Sequence, residues 1–501
     1  MSEAARTPPT GMPSPIVGPA DATAITATTM GSLILQIVLR LRGLLVVPLY
    51  ARLLEAGELG LVHVGAAVAA LAAPLLHLGL PAGMLIELPH REDGPAVARA
   101  YGSGTRVLSG LALLGVVAVA LLLPHFPGDA LASTWPLQLA VGLVVAGLIL
   151  RDPSQLVFQL RRRVAEMAAL NVWVDYGGAA LGVAFAAAGG GAAGLLAGLG
   201  GAAVAGSVIG MRRSQALLGP AGRFDAPFVK AAWAVGFPLF LITTAQTVVF
   251  TFDRFLIAHH LGAATVAGYG LGYSVASAVT VLAATVNVVF VPVAVGLLQV
   301  EGGALRLLVE RGLRLLVLLC GLATAGAALL GSPVMAVIAG RPYAHVGVVL
   351  PLMVVVYSLM TLVQTLQWVP MVATRRALTP VRAYLAGAVL HVVLTVVLVP
   401  RAGVVGALVA ALIAFAVALV LMSRAAHAAA PGWSWRPVLP AAALAVLASG
   451  AGAAVRLGPD AGPLTVLGAG VTLVAAYGMA ALACGALAPR DIALVAASLR
   501  R

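Results

Sequence analysis

Residues 137–150 read Leu-Gln-Leu-Ala-Val-Gly-Leu-Val-Val-Ala-Gly-Leu-Ile-Leu, and residues 164–188 continue in the same manner from Val164 to Ala188. The apolar character is continuous, whereas a membrane-barrel strand would alternate every second residue. The rest of the chain shares it. Of 501 residues, 61% are hydrophobic and 9% charged, where a soluble domain carries about 25% charged. Mean hydropathy is +1.05. That leaves too few polar residues to coat the outside of a soluble protein. An ordinary cytosolic enzyme and a disordered scaffold are therefore excluded. The composition predicts an all-α, polytopic membrane protein, because in lipid a helix satisfies its own backbone hydrogen bonds.

Each span needs about 20 apolar residues. The breaks predict fourteen spans, at 24–50, 59–86, 97–123, 135–158, 165–188, 191–211, 229–258, 265–297, 305–330, 346–373, 379–399, 404–423, 437–456 and 464–487. Gly189-Gly190-Gly191 is the only turn signal between the fifth and sixth. With both termini inside, cytoplasmic segments collect 22 of the 30 Lys and Arg residues, Arg151 and Arg161–Arg163 among them. Outer loops hold 4, namely Arg52, Arg341, Arg401 and Arg456. Arg40, Arg42, Arg106 and Arg254 fall within spans. The positive-inside rule thus explains the net charge of +13, and no nucleic-acid partner is needed. Lys230 is the only lysine, so Arg over Lys carries no chemical meaning at a single position. The two cysteines, Cys320 and Cys484, sit in apolar stretches and form neither a disulfide framework nor a metal-binding spacing. The first residues, rich in Pro, Thr, Ala and Gly, read as a disordered cytoplasmic tail rather than a cleaved signal peptide.

The polar loop from Met211 to Lys230 divides the first twelve spans six and six. The expected organisation is a tail (1–22), an N-lobe (23–211), a cytoplasmic inter-lobe loop (212–228), a C-lobe (229–426), an extra helix pair (436–488) and a tail (489–501). An even number of spans per half makes the repeat parallel, a common transporter plan. Short motifs recur in order. Arg52-Leu53-Leu54 precedes Glu58-Leu59-Gly60, and Leu78-Gly79-Leu80-Pro81 follows. The second half has Val235-Gly236-Phe237-Pro238, then Asp253-Arg254, Gly268-Tyr269, Gly340-Arg341-Pro342-Tyr343 and the run Pro400–Ala407. In order and spacing these motifs resemble the polysaccharide flippase family of the multidrug/oligosaccharidyl-lipid/polysaccharide exporter superfamily. The resemblance covers nearly the whole chain. It implies two six-helix lobes in a V around a central cavity, with two extra C-terminal helices offering a groove for a lipid tail. It also implies a carrier of undecaprenyl-pyrophosphate-linked oligosaccharide across a bacterial inner membrane, with membrane lipids around it. A polymerase and a chain-length regulator would be its protein partners, and the chain would act as a monomer.

Ionisable groups inside spans are expensive and mark a cavity or pathway by default. Arg40 lies roughly 5 Å from the midplane of span one by helical rise, with Gln36 one turn earlier on the same face. Its guanidinium suits a pyrophosphate held bidentately; the alternative is an ion pair locking two helices. Arg42, about 200° round the helix, cannot face the same point. Asp175, with Asn171 one turn below, is expected to pair with Arg40 or Arg106 or to carry a coupling proton. Gln246, Phe250 and Asp253 form a polar stripe on span seven with Thr243, readable as sugar lining or outer gate. Asp253-Arg254 also reads as an interfacial ion pair. Asn287, Gln364, Gln367 and His391 read as interhelical hydrogen-bonding groups. Substrate-facing candidates are thus Arg40, Gln36, Arg42, Arg106, Asp175, Gln246, Asp253 and Arg254.

No nucleophile sits with its base, and no phosphate-binding loop ending in Gly-Lys-Ser/Thr exists. The chain is expected to be no enzyme, to hold no cofactor or metal, and to draw on an ion gradient (H⁺ or Na⁺), the membrane potential or substrate supply. Three rivals remain. A drug/cation antiporter of the same superfamily would want carboxylates rather than four in-span arginines. A peptidoglycan-precursor flippase would share the lipid anchor. A polysaccharide polymerase or ligase would need a long outer loop, and the outer loops here are short.

Overall fold

The computed structural model describes residues 45–91, 94–125, 134–281, 304–374, 378–429 and 431–487. Helices dominate, and no strand occurs among the described residues. In chain order they are α1 (Ala56–His77), α2 (Leu80–Glu87), α3 (Gly94–Leu122), α4 (Trp135–Leu160), α5 (164–190), α6 (Gly191–Leu218), α7 (Ala226–Leu261), α8 (Ala263–Ala276), α9 (Ala304–Ile338), α10 (Leu350–Thr374), α11 (Leu378–Ala429), α12 (Leu439–Ala454) and α13 (Pro463–Ala483). A further helix end occupies 45–53. Gln36, Arg40, Arg42 and Asn287 lie outside the described residues.

Ten helical stretches are long and apolar enough to cross a membrane among the described residues. Two of these, Val164–Leu218 and Pro380–Ala429, fold back on themselves. In the first, Gly189 and Gly191 take φ of 93° and 51°, and beyond the bend Gly198 packs onto the backbone of Gly182. In the second, Gly403 has φ 55° and ψ −135°, three residues after Pro400. Gly387 then lies against Ala414 and Ala418. A Cβ disfavours these backbone angles, so glycine sets where both hairpins turn. Each stretch crosses twice, and with the helix portions at 45–53 and 263–281 the fourteen spans are represented. Two expectations need correcting. The ninth helix runs on through Pro333 to Ile338, because proline is tolerated where neighbouring helices re-satisfy the backbone. Arg151, counted as a cytoplasmic loop residue, lies inside α4.

Packing follows two groups. α4 lies against α6, α3 and α1, and α5 against α6. In the second group α7 and α10 pack on α11, and α9 and α8 on α10. α12 and α13 lean on α9, where Tyr477 donates to the Leu318 carbonyl at 3.0 Å. The remainder of this pair is bare: Val446, Leu447, Leu464 and Leu467 are all more than 60% exposed, a face that suits lipid.

The groups meet along a seam in which α1 packs on α8 and α7, and α2 packs on α7. Apolar burial drives little association in lipid, so close approach through small residues carries it. The end bearing the turns at 54–55 and 262 is called outer below, after the arginine count. There Gly60 is pressed onto Ala263: an added Cβ would lie 1.8 Å from its carbonyl oxygen. At the inner end a Cβ on Gly83 would lie 1.7 Å from the Ala232 oxygen, and Gly79 and Gly236 oppose each other's backbone in the same way. The Trp233 indole donates to the His77 carbonyl at 2.9 Å beside this crossing. The Leu78–Pro81 and Val235–Pro238 motifs are therefore each other's partners.

Candidate functional site

α7 leads into the site. Asp225 caps its N-terminus, its carboxylate accepting from the Phe228 N–H at 2.9 Å. Arg91 bridges to the same carboxylate at 3.6 Å and stacks over the Phe228 ring. Halfway along, α7, α10 and the segment after α8 line an open cavity of about 390 Å³, within the roughly 300–1,000 Å³ of small-molecule sites. Gln246, Thr247, Phe250 and Thr251 line one side; Ser277, Thr280, Tyr357 and Met360 line the other. None of these eight side chains is a carboxylate, an amine or a guanidinium.

The hydroxyls are arranged to accept. Thr247 donates to the Thr243 carbonyl at 2.9 Å, Thr251 to Thr247 at 2.5 Å, and Ser277 to Ser274 at 2.7 Å. With their protons committed to the backbone they turn lone pairs elsewhere, and Gln246 adds an amide that gives and takes. Phe250 and Tyr357 stack at 4.9 Å with 19° between their planes. The cavity thus combines acceptors, an amide and aromatic surface without fixed charge.

Deeper toward the outer end lies a buried polar group. Tyr269 donates a short hydrogen bond to Asp253 Oδ2. The Tyr269, Tyr273 and Tyr357 rings run from there to the cavity, with centroids 4.7 and 5.7 Å apart in turn. His391 of α11, fully buried, lies within charge range of Asp253. Arg254 lies within charge range of His63, a residue of α1 across the seam.

The sequence candidates are therefore dispersed. Gln246 lines the cavity together with Phe250. Asp253 and Arg254, one turn further along α7, belong to the buried group and do not line it. Arg106 sits at the inner end of α3, with its guanidinium on the carbonyls of Gly102 at 3.1 Å and Gly222 at 2.9 Å, tying α3 to the inter-lobe loop. Asp175 was expected to pair with Arg40 or Arg106; Arg40 lies outside the described residues, and Arg106 bonds elsewhere. Arg151 of α4 grips it with two bonds, at 2.7 and 3.2 Å, and reaches Asn171 at 2.8 Å. Gln155 and Asn171 complete that network. It sits at a π-helical turn, Trp173–Gly177. Gln367 accepts from Tyr384 at 2.9 Å, joining α10 to α11 as an interhelical bond. Sequence reasoning missed His63, Tyr269 and Tyr357. Their only sequence signal was the Gly268-Tyr269 motif, since an aromatic or a lone histidine in an apolar helix reads as packing.

Two helix groups joined by a glycine seam, built from helices long and apolar enough to cross a membrane, define a polytopic membrane protein. A family model described as polysaccharide biosynthesis protein matches residues 25–297, more than half of the chain, and the chain belongs to that family. No curated protein matches it in sequence. Among solved structures, the fold is shared with the lipid II flippase MurJ in an inward closed conformation, with TM-score 0.67 and 10% identity over 90% of this chain and 98% of that one. It is also shared with an inward-facing multidrug resistance MATE family transporter of the MOP superfamily, with TM-score 0.58 and 13% identity over 78% and 95%. A third neighbour is the MATE multidrug transporter DinF-BH in complex with R6G, with TM-score 0.56 and 12% identity over 80% and 94%. These fold neighbours are one flippase and two multidrug transporters.

Proposed function

We propose that this protein is a flippase that carries an undecaprenyl-pyrophosphate-linked oligosaccharide across a bacterial inner membrane for cell-surface polysaccharide export. The observation that carries the reading is the uncharged cavity. Sugars offer many hydroxyl donors and an apolar ring face, which suit hydroxyl acceptors, an amide and stacked rings. A drug/cation antiporter would want a carboxylate in the cavity wall, and the eight lining residues supply none. In this reading the sugar occupies the C-lobe cavity. The pyrophosphate is held by span-one arginine, Arg40 with Gln36 beside it. The 23–211 and 229–426 lobes rock against each other about the seam, both termini stay cytoplasmic, and the 436–488 pair faces the lipid tail. A peptidoglycan-precursor cargo shares the anchor but adds a charged peptide, for which the eight described lining residues offer no charged partner.

The test is complementation of polysaccharide export in cells lacking their own carrier, with membrane protein level as control. Phe250→Ala and Gln246→Ala are expected to lower export at least several-fold at normal protein level. Arg40→Ala is expected to abolish it, and Arg40→Lys to retain part, because charge survives without the bidentate fork. Arg456→Ala, whose side chain bonds the Ala328 carbonyl outside both sites, is expected to be near neutral. Full export by well-expressed cavity variants would refute the sugar site.

A further inference from the structure

Eight buried side-chain polar atoms lack a hydrogen-bond partner among the described residues; two of them, His63 Nε2 and Arg254 Nε, belong to side chains within charge range of each other across the seam, and a third, Asp253 Oδ1, belongs to the neighbour of Arg254 on α7. Orphans of this kind are rare, and each calls for an explanation such as an absent small ligand. Chance burial would scatter them. Here they gather on the lobe seam. His63 comes from α1, Asp253 and Arg254 from α7. The His63 ring lies so close to Gly270 of α8 that a Cβ there would stand 2.5 Å from it.

The surrounding groups restrict what binds. α7 contributes Asp253 and Arg254, and α8 contributes Tyr269 and Tyr273. α11 contributes His391, behind Asp253. On its other side α1 packs through Gly65 against Val141 of α4 and Leu196 of α6, which are apolar. A metal cation would find one carboxylate beside a guanidinium. No group of three or more His, Cys, Asp or Glu side chains arranged for a metal occurs among the described residues. An anion would meet Asp253. A proton needs only a lone pair, and His63 Nε2 has one.

We propose that this seam cluster is a proton-binding site, with His63 as the proton acceptor, and that proton uptake parts the lobes at the outer end. The role rests on the transport reading above, to which it adds the coupling ion. In the closed seam the Asp253 carboxylate offsets Arg254, and the His63 ring is neutral. A proton on Nε2 creates an imidazolium facing the Arg254 guanidinium across the seam. Like charges at short range in a low dielectric repel strongly. The ring relieves this by leaving Gly270 for water, which requires α1 to move from α8. Loss of the proton reverses the step. The tyrosines linking Asp253 to the cavity place this switch next to the site that would hold the sugar.

The experiment is electron–electron spin distance measurement on the full chain in lipid nanodiscs, with Cys320→Ala and Cys484→Ala and labels at Glu55→Cys and Val337→Cys. Both positions are exposed, and Arg52 reaches the Val337 carbonyl across the same gap. The distance is expected to lengthen as pH falls from 8 to 4. His63→Gln is expected to stay short throughout, and His63→Arg, permanently charged, to be long even at pH 8. Thermal melting confirms that each variant is folded. The same acid response in His63→Gln, a wild-type distance that does not change with pH, or lengthening on adding sodium at pH 8 would overturn the assignment. None of these outcomes depends on export, so the site and the cargo reading fail separately.

Discussion

Asp175 illustrates what a single residue reveals and what it conceals. A carboxylate in the middle of an apolar run announces itself in the sequence, and so does its need for a partner. The partner, Arg151, lies 24 residues away on another helix, and only the packing of α4 beside α5 brings them together. The arginine count groups Arg151 with the cytoplasmic cations although it falls within the predicted span 135–158, and the helix runs through it to Leu160. A paired, hydrogen-bonded network of this kind is structural. Arg151→Ala is expected to lower stability by about 1.5–3 kcal/mol, the range for hydrogen bonds to charged groups. The double variant Arg151→Ala, Asp175→Asn is expected to lose less than the two singles combined. Thermal unfolding of the purified protein measures both, and strict additivity would show that the pair is not coupled. The Asp253 reading divides similarly. Its place on the stripe with Gln246 and Phe250 was legible in the 4–3 spacing. Its removal from the cavity was not, since it follows from Tyr269 on the next helix.

At the scale of elements, helix positions were legible because lipid imposes length, and hairpin bends were legible because glycine marks them. Gly189-Gly190-Gly191 bends where the sequence predicts, as does the stretch after Pro400. The end of α9 was not legible: Gly331-Ser332-Pro333 reads as a stop, yet α9 continues to Ile338. The motif glycines were visible, but not their partners. Gly79 and Gly83 cross Gly236 and Ala232 too closely for any side chain, so the crossing defines the inner closure of the seam. Gly83→Val is expected to insert normally but to hold that end apart. Leu80, fully buried in the native seam, reports this. With Cys320→Ala and Cys484→Ala in place, a Leu80→Cys thiol is expected to resist a water-soluble maleimide when Gly83 is kept and to react in the Gly83→Val background. Equal reactivity in both would show that the crossing does not close the seam.

For the whole molecule, composition and the arginine count carried the reading of class and sidedness, since both are collective properties that survive errors at single positions. Moving Arg151 into a span changes the asymmetry little. Reporter fusions at Arg162 and Arg213 are expected to report cytoplasm, and a fusion at Gly340 the outside; a reversed pattern would overturn the orientation. The cargo cannot be read from fold, because flippases and multidrug transporters share this one. It has to be argued from the wall of one cavity. The most direct measurement is translocation in proteoliposomes loaded on one leaflet with undecaprenyl-pyrophosphate-linked oligosaccharide, scored by exposure of the sugar to an impermeant glycosidase on the other side. The wild-type protein is expected to expose it far faster than empty liposomes, Phe250→Ala only weakly, and a hydrophobic cation is expected not to move at all. Sugar exposure no faster than in empty liposomes, or cation transport by the wild-type protein, would contradict the account.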